Sequence, residues 1–153
     1  MVIRPLDPQR DEEIKLVAVR MRRTLEEVLG ARGRTLYTLD WLQERVRHHL
    51  DQDIGQVFLA EVDGSVVAHT IVRDERDDLG RFGLFSTTWV QPEHRRSSIA
   101  TRLLEAGHSW MAARGLIRSA TDTAVDNAGL IRLFQAHGYR VSHTEDRMVR
   151  LSR

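Results

Sequence analysis

The chain has 153 residues, 41% of them hydrophobic and 29% charged, with a formal net charge of +1. That balance suits one domain with a single core and gives no global pull toward nucleic acid or a membrane surface. There is no cysteine, which removes disulfides, cysteine nucleophiles and thiolate zinc sites, and no metal site is expected.

The N-terminus, MVIRPLDPQRDEE, lacks an apolar signal core, and no long apolar run follows. A soluble, cytoplasmic protein without a membrane partner is expected. Val2 to Leu6 reads as a first strand. Asp7 can cap a helix with Pro8 at its first position. Ile14, Val17, Ala18, Met21, Leu25 and Val28 then recur at helical spacing, and Gly30 stops the run. A second helix carries Leu39, Leu42, Val46 and Leu50 on one side, with Trp41 expected in the core.

The period then changes. VFLAEV (57–62) and VVAHTIV (66–72) flank Asp63-Gly64, a hairpin signal. DERDD (74–78) reads as a charged loop that could attract a cationic amine. FGLFSTTWV (82–90) is dense in apolar and β-branched residues and reads as a central strand. Ile99, Leu103, Gly107 and Trp110 share one face of a helix ending at Gly115. SATDTAV (119–125) is a strand. Asn127 to His137 is a helix with Leu130, Ile131, Leu133 and Phe134 inward, closed by Gly138. The tail makes one or two strands. The order β-α-α-β-β-β-α-β-α-β(-β) predicts an α/β fold with a mixed, mostly antiparallel central sheet flanked by helices.

Residues 91–107, QPEHRRSSIATRLLEAG, carry the chemistry. A strand ends before Pro92 and a helix begins near Ser98. The first turn of a helix has unpaired N–H groups and partial positive charge. Arg95 and Arg96 add full charges, so phosphate or pyrophosphate can bind there. Ser97 or Ser98 can equally act as a helix cap. The two roles are compatible.

The segment resembles the acetyl-CoA loop of the GNAT superfamily of N-acetyltransferases, whose pattern is Arg/Gln-x-x-Gly-x-Gly/Ala between a strand and a helix. Here it reads Arg95-Arg96-Ser97-Ser98-Ile99-Ala100, with Ser98 at the middle glycine. Asn127 and LFQAHGY (133–139) resemble a second family segment, Leu-Tyr-x-x-x-Gly-Phe. The resemblance spans the strand order of the whole chain, and implies one acetyltransferase-like domain. It further implies that the strand ending at Trp89 and Val90 binds the pantetheine arm of acetyl-CoA. The loop Arg95, Arg96, Ser97, Ser98, Ile99, Ala100 and Thr101 would hold the pyrophosphate. Strands 82–90 and 119–125 would splay to admit the thioester. Asn127 would contact the cofactor and Phe134 would lie beside the sulfur.

Acetyl transfer to an amine needs a base, because lysine-like amines have a pKa of about 10. It also needs a donor to the developing oxyanion, which a strand N–H near Val90 can supply. Strand alternation puts Phe82, Leu84, Ser86 and Thr88 on one face, and none is a conventional base. Asp122 is the first alternative; His69, Glu61 or a water chain are others. Phe134 stands where the family commonly has a tyrosine, so a direct acid for the thiolate is missing there. Ser86 or water could substitute. Tyr37 and Trp41 fall where the family covers its acceptor site. The expected partner is a small-molecule or peptide amine, and dimers common in the family make a homodimer a further expectation. The alternative is a non-catalytic acyl-CoA-binding or regulatory domain. Nucleic acid is disfavoured, because charge is near zero and there is no aromatic-basic platform.

Overall fold

The computed structural model describes the backbone of all 153 residues and every side chain except those of Val28, Gly33, Arg34 and Thr35. The expected inward Val28 side chain therefore lies outside the described residues. The elements are β1 (Val2–Pro5), α1 (Asp11–Leu29), α2 (Ala31–Leu36), α3 (Leu39–Asp51), β2 (Gly55–Val62), β3 (Ser65–Asp77), β4 (Gly80–Val90), α4 (Ile99–Ala113), β5 (Ser119–Ala124), α5 (Ala128–Ala136), β6 (Arg140–Glu145) and β7 (Met148–Ser152). A short 3₁₀ turn, Pro92–His94, links β4 to α4.

Seven strands form one sheet in the order β1-β2-β3-β4-β5-β7-β6. Only β4 and β5 run parallel; the other five pairings are antiparallel. The mixed α/β architecture and the central place of β4 agree with the expectation. So does the Asp63-Gly64 hairpin, where both residues take positive φ, 51° and 80°, as a two-residue turn of this kind requires.

Two local readings are corrected here, and one short helix is additional. Asp7 does not cap α1. Its Oδ1 accepts from the Gln9 N–H at 3.0 Å and closes a turn of its own, so the helix begins at Asp11. The short helix α2 follows Gly30 without an apolar period to announce it. DERDD is not a loop: its first four residues extend β3, with Glu75 opposite Phe82 and Asp77 opposite Gly80. Asp74 is bridged by Arg81 and Arg114, and Asp77 by Arg118. Hydrogen bonds from those arginines hold both carboxyls below their ordinary range. These acids are therefore paired by Arg81 within the hairpin and by Arg114 and Arg118 from outside it, and no open acidic lure remains at Asp74 and Asp77.

The two faces of the sheet bury different helices. On one, Ile14 and Val17 of α1 and Val46 of α3 pack on Val57, Leu59 and Ile71. On the other, Ile99 and Leu103 of α4 pack on Ala60 and Ala68. Further along that face Leu104, Met111 and Phe134 enclose Val72 and Phe85. Burial of such side chains is worth about 1.5–3 kcal/mol each. Trp41, expected in this core, is instead 47% exposed on α3, in tilted contact with Tyr37.

Candidate active site

The parallel pairing of β4 with β5 is short. It covers Gly83–Ser119, Leu84–Ala120 and Phe85–Thr121, then stops. The Thr121 hydroxyl closes the last contact by donating to the Phe85 carbonyl at 3.0 Å. Beyond it the strands diverge, although β4 continues to Val90.

A bulge sits at the point of divergence. Ile71 pairs with Thr87 but Val72 pairs with Phe85, so Ser86 is an extra residue in β4. A bulge of this kind re-aims everything that follows it. The Gly83 N–H donates to the Arg118 carbonyl just before β5, while the Gln91 N–H donates to Val67 of β3. Alternation between those two bonds, reset by Ser86, turns the backbone groups of Thr88 and Val90 toward the opening. The expectation that Ser86 and Thr88 share a face is therefore corrected. Thr88 stands beside Thr70, with Oγ1 atoms 2.8 Å apart, on the α4 side. Ser86 faces α1 and α3.

At the far end of β4 the chain enters α4. Ser98 has φ −78° and ψ 2°, so a serine there pays no left-handed cost. The strained position is Arg96, with φ 61°. The Ser97 hydroxyl donates to the His94 carbonyl at 2.6 Å and accepts weakly from the Ile99 N–H at 3.4 Å. Ser98 supplies no side-chain cap. The first i→i−4 bond runs from Arg102 to Ser98, so the N–H groups of Ala100 and Thr101 have no partner inside the helix. Trp89 lies on the α1 side beneath the Arg20 guanidinium, 4.5 Å from its ring centre. Arg95 curls back to donate Nε to the Val90 carbonyl at 2.8 Å.

The remaining candidates are more occupied than the sequence suggested. Asn127 caps α5, accepting from the Leu130 N–H and donating to Thr123 Oγ1. Phe134 is fully enclosed, packed edge-on against Phe85 and Tyr139. Both oxygens of Asp122 accept from Arg150 at 2.8 Å. Glu61 is bound by Arg4. His69 is wholly buried beside Trp89, and burial pushes its pKa down to about 3.

A neutral buried His69 has a consequence for stability. The unfolded chain takes up a proton below about pH 6.5 and the folded chain does not. Its contribution is present above that pH and is lost as pH falls toward 3, by roughly 1.4 kcal/mol per pH unit. Chemical denaturation at neutral and acidic pH should show this slope, and His69→Leu should flatten it; an equal slope in the variant would assign the acid sensitivity elsewhere.

Three residues outside the sequence reading lie beside the bulge. Ser86 lines a cavity of about 30 Å³ together with Arg73 of β3, and Arg45 and His49 of α3. His49 Nδ1 lies 2.7 Å from the Arg45 carbonyl. A carbonyl only accepts, so Nδ1 carries the proton and Nε2 presents its lone pair. Arg73 Nη1 donates weakly to that Nε2 at 3.4 Å. Burial, with the nearby Arg73, holds His49 below the ordinary histidine range and therefore neutral. The available signals were modest: His49 adjoins Leu50 on the inward stripe of α3, and Arg73 shares the period-two face of Ile71. Among the described residues no group of three or more His, Asp or Glu could hold a metal ion.

A sheet split over the start of an arginine-bordered helix is the layout of one broad class of acyl-transfer folds. The chain belongs to the acetyltransferase (GNAT) family, whose pattern it matches over residues 24–139. Its fold is similar to PaiA N-acetyltransferase from Thermoplasma acidophilum, solved with coenzyme A, at 12% identity and TM-score 0.79, covering 100% of this chain and 99% of that one. It is equally similar to ribosomal-protein-alanine N-acetyltransferase from Brucella melitensis, at 16% identity and TM-score 0.79, with the same coverage. In sequence, 61 residues are 38% identical to an aminoglycoside N(6')-acetyltransferase type 1 from Acinetobacter genomosp. 13. That match spans 40% of each chain.

Proposed function

We propose that this protein transfers an acetyl group from acetyl-CoA to a primary amine of a small molecule or peptide by direct attack. One observation carries the reading. β4 loses its partner after Phe85 and runs on, unpaired on that side, to a helix start bordered by Arg95 and Arg96. An extended, amide-bearing arm can pair with the backbone of Thr88 and Val90. A pyrophosphate can meet the N–H groups of Ala100 and Thr101, and the left-handed turn at Arg96 gathers neighbouring donors toward an anion. The residues present thus fit acetyl-CoA. Arg95 must leave the Val90 carbonyl for the arm to use it, which frees its guanidinium for phosphate.

Acetyl-CoA supplies an activated carbonyl and a thiol leaving group. An N–H of β4 that faces the opening, at Thr88 or Val90, supports negative charge developing on that carbonyl oxygen. His49, neutral and with its Nε2 lone pair engaged only weakly by Arg73, accepts the amine proton directly or through a water. Phe134 donates no proton, but the leaving group departs as a thiolate, stable enough to leave unprotonated because thiols of the cysteine type have a pKa of about 8.5.

The reading is tested by melting the protein with and without acetyl-CoA, and by following thiol release across an amine panel. An upward shift and turnover are expected; no shift at high micromolar acetyl-CoA removes the reading. His49→Gln should lower kcat/KM by about a hundredfold, the lower range for a lost general base. Activity equal to the parent would return the role to water alone.

A further inference from the structure

The wall of the cavity beside Ser86 is mostly apolar, but its charged side chains have an unexpected sign for a protein that acts on amines. Arg45 and Arg73 both line it, and among the described residues around it none is acidic. Two acids stand nearby and both are engaged. Asp122 is clamped by Arg150, and Glu75 lies 3.2 Å from Arg73 Nε. That ion pair is poorly aligned: Arg73 Nε is buried without a hydrogen-bond partner. Arg45 is exposed, with its guanidinium 5.7 Å from the Trp41 ring centre.

We propose that this pocket recognises an anionic group on the acceptor, and that the substrate is a small primary amine bearing a carboxylate close to its amino group. The inference rests on the acetyl-transfer reading and narrows it. Arg73 and Arg45 would hold the carboxylate by charge-assisted hydrogen bonds. A short spacer then directs the amine past the bulge at Ser86 into the opening alongside β4. A polycation would meet two guanidinium groups instead, and Asp74 and Asp77 of the neighbouring hairpin are already neutralised.

The arrangement also couples recognition to proton transfer. In this structure Arg73 leans on His49 Nε2 and its charge opposes protonation there. An acceptor carboxylate on Arg73 draws the guanidinium away and offsets its charge. His49 becomes a better base when the anionic acceptor is bound, and a neutral amine gains no such help.

The test compares glycine, alanine and glutamate with their amides and with the matching amines that lack the carboxylate. O-phosphoethanolamine against ethanolamine asks whether phosphate serves equally, and spermidine and kanamycin represent polycations. The carboxylate form is expected to exceed its amide in kcat/KM by about tenfold or more, the scale of a charged hydrogen bond. That ratio should fall toward unity in Arg45→Gln and in Arg73→Gln, with Arg73→Lys keeping part of it. Arg45 is exposed, so its variant reports even if Arg73→Gln fails to fold. Preference for spermidine or kanamycin, or a ratio unchanged in both variants, overturns the inference while leaving acetyl transfer standing. Should acetyl-CoA raise the melting point without turnover, calorimetry decides. Tighter binding of N-acetylglycine than of N-acetylglycinamide, lost in Arg45→Gln, supports the pocket; equal binding refutes it. Absence of any acetyl-CoA shift removes the transfer reading, and the same two titrations still judge the pocket.

Discussion

Gly107→Ala should lower stability by about 2 kcal/mol, even after the roughly 1 kcal/mol that alanine gains over glycine within a helix. A Cβ at Gly107 would strike Phe85 at Cε1, and would lie 2.7 Å from Cζ and 3.0 Å from Val72 Cγ1. Phe85 cannot step aside. It is fully buried and held edge-on by Phe134 and His108. The melting point should fall by about 4–8 °C. Gly83→Ala makes the informative contrast. Its new Cβ would meet the side chain of Met111, 2.6 Å from Cγ; Met111 is buried too, but its unbranched chain can change rotamer where a ring cannot, so the loss should be smaller. If Gly107→Ala melts with the parent, α4 does not approach β4 this closely. Because Phe85 is the last residue paired with β5, displacing its ring should also weaken acetyl-CoA binding.

Much of this fold was readable because several local signals agreed. Ile14, Val17, Leu42 and Val46 recur at helical spacing and all are buried. Asp63-Gly64 named its hairpin, and the density of FGLFSTTWV placed β4 at the sheet centre. Signals failed where a side chain had two local options. Asp7 could cap a helix or close a turn, and it closed the turn. The charge of DERDD resembled a loop, yet Arg81 across the hairpin, with Arg114 and Arg118 from the segment after α4, lets those acids sit in a strand pair.

The site was harder to read for a geometric reason. The family resemblance of RRSSIA and LFQAHGY rests on contiguous residues, so it survives in a linear string. The bulge at Ser86 does not. Nothing in the alternation of FGLFSTTWV shows that one residue is extra, and one extra residue reverses every later side chain. Asp122 looked available because its partner, Arg150, is 28 positions away. His49 and Arg73 meet only because the C-terminal end of α3 comes to rest beside β3, a contact no local period encodes.

The same bulge yields the second large expectation. Val90→Pro should reduce kcat/KM for acetyl transfer by about 10²–10³-fold, the range for losing one donor to a developing oxyanion. Proline in a central strand usually breaks a ladder bond. Here the ladder bond at this end is made by the neighbouring Gln91 N–H to Val67, and Val90 turns its N–H toward the opening. The substitution therefore removes a donor from the slot, and the proline ring occupies the space the hydrogen faced. Two readouts separate the effects. If acetyl-CoA still raises the melting point and only kcat falls, the N–H acts on the charge formed during transfer. If the shift is lost as well, the same N–H anchors the cofactor arm. Turnover within about threefold of the parent, in a variant that melts normally, would show that neither role belongs to Val90. The donor would then have to come from Thr88, two residues closer to the bulge and turned to the same side.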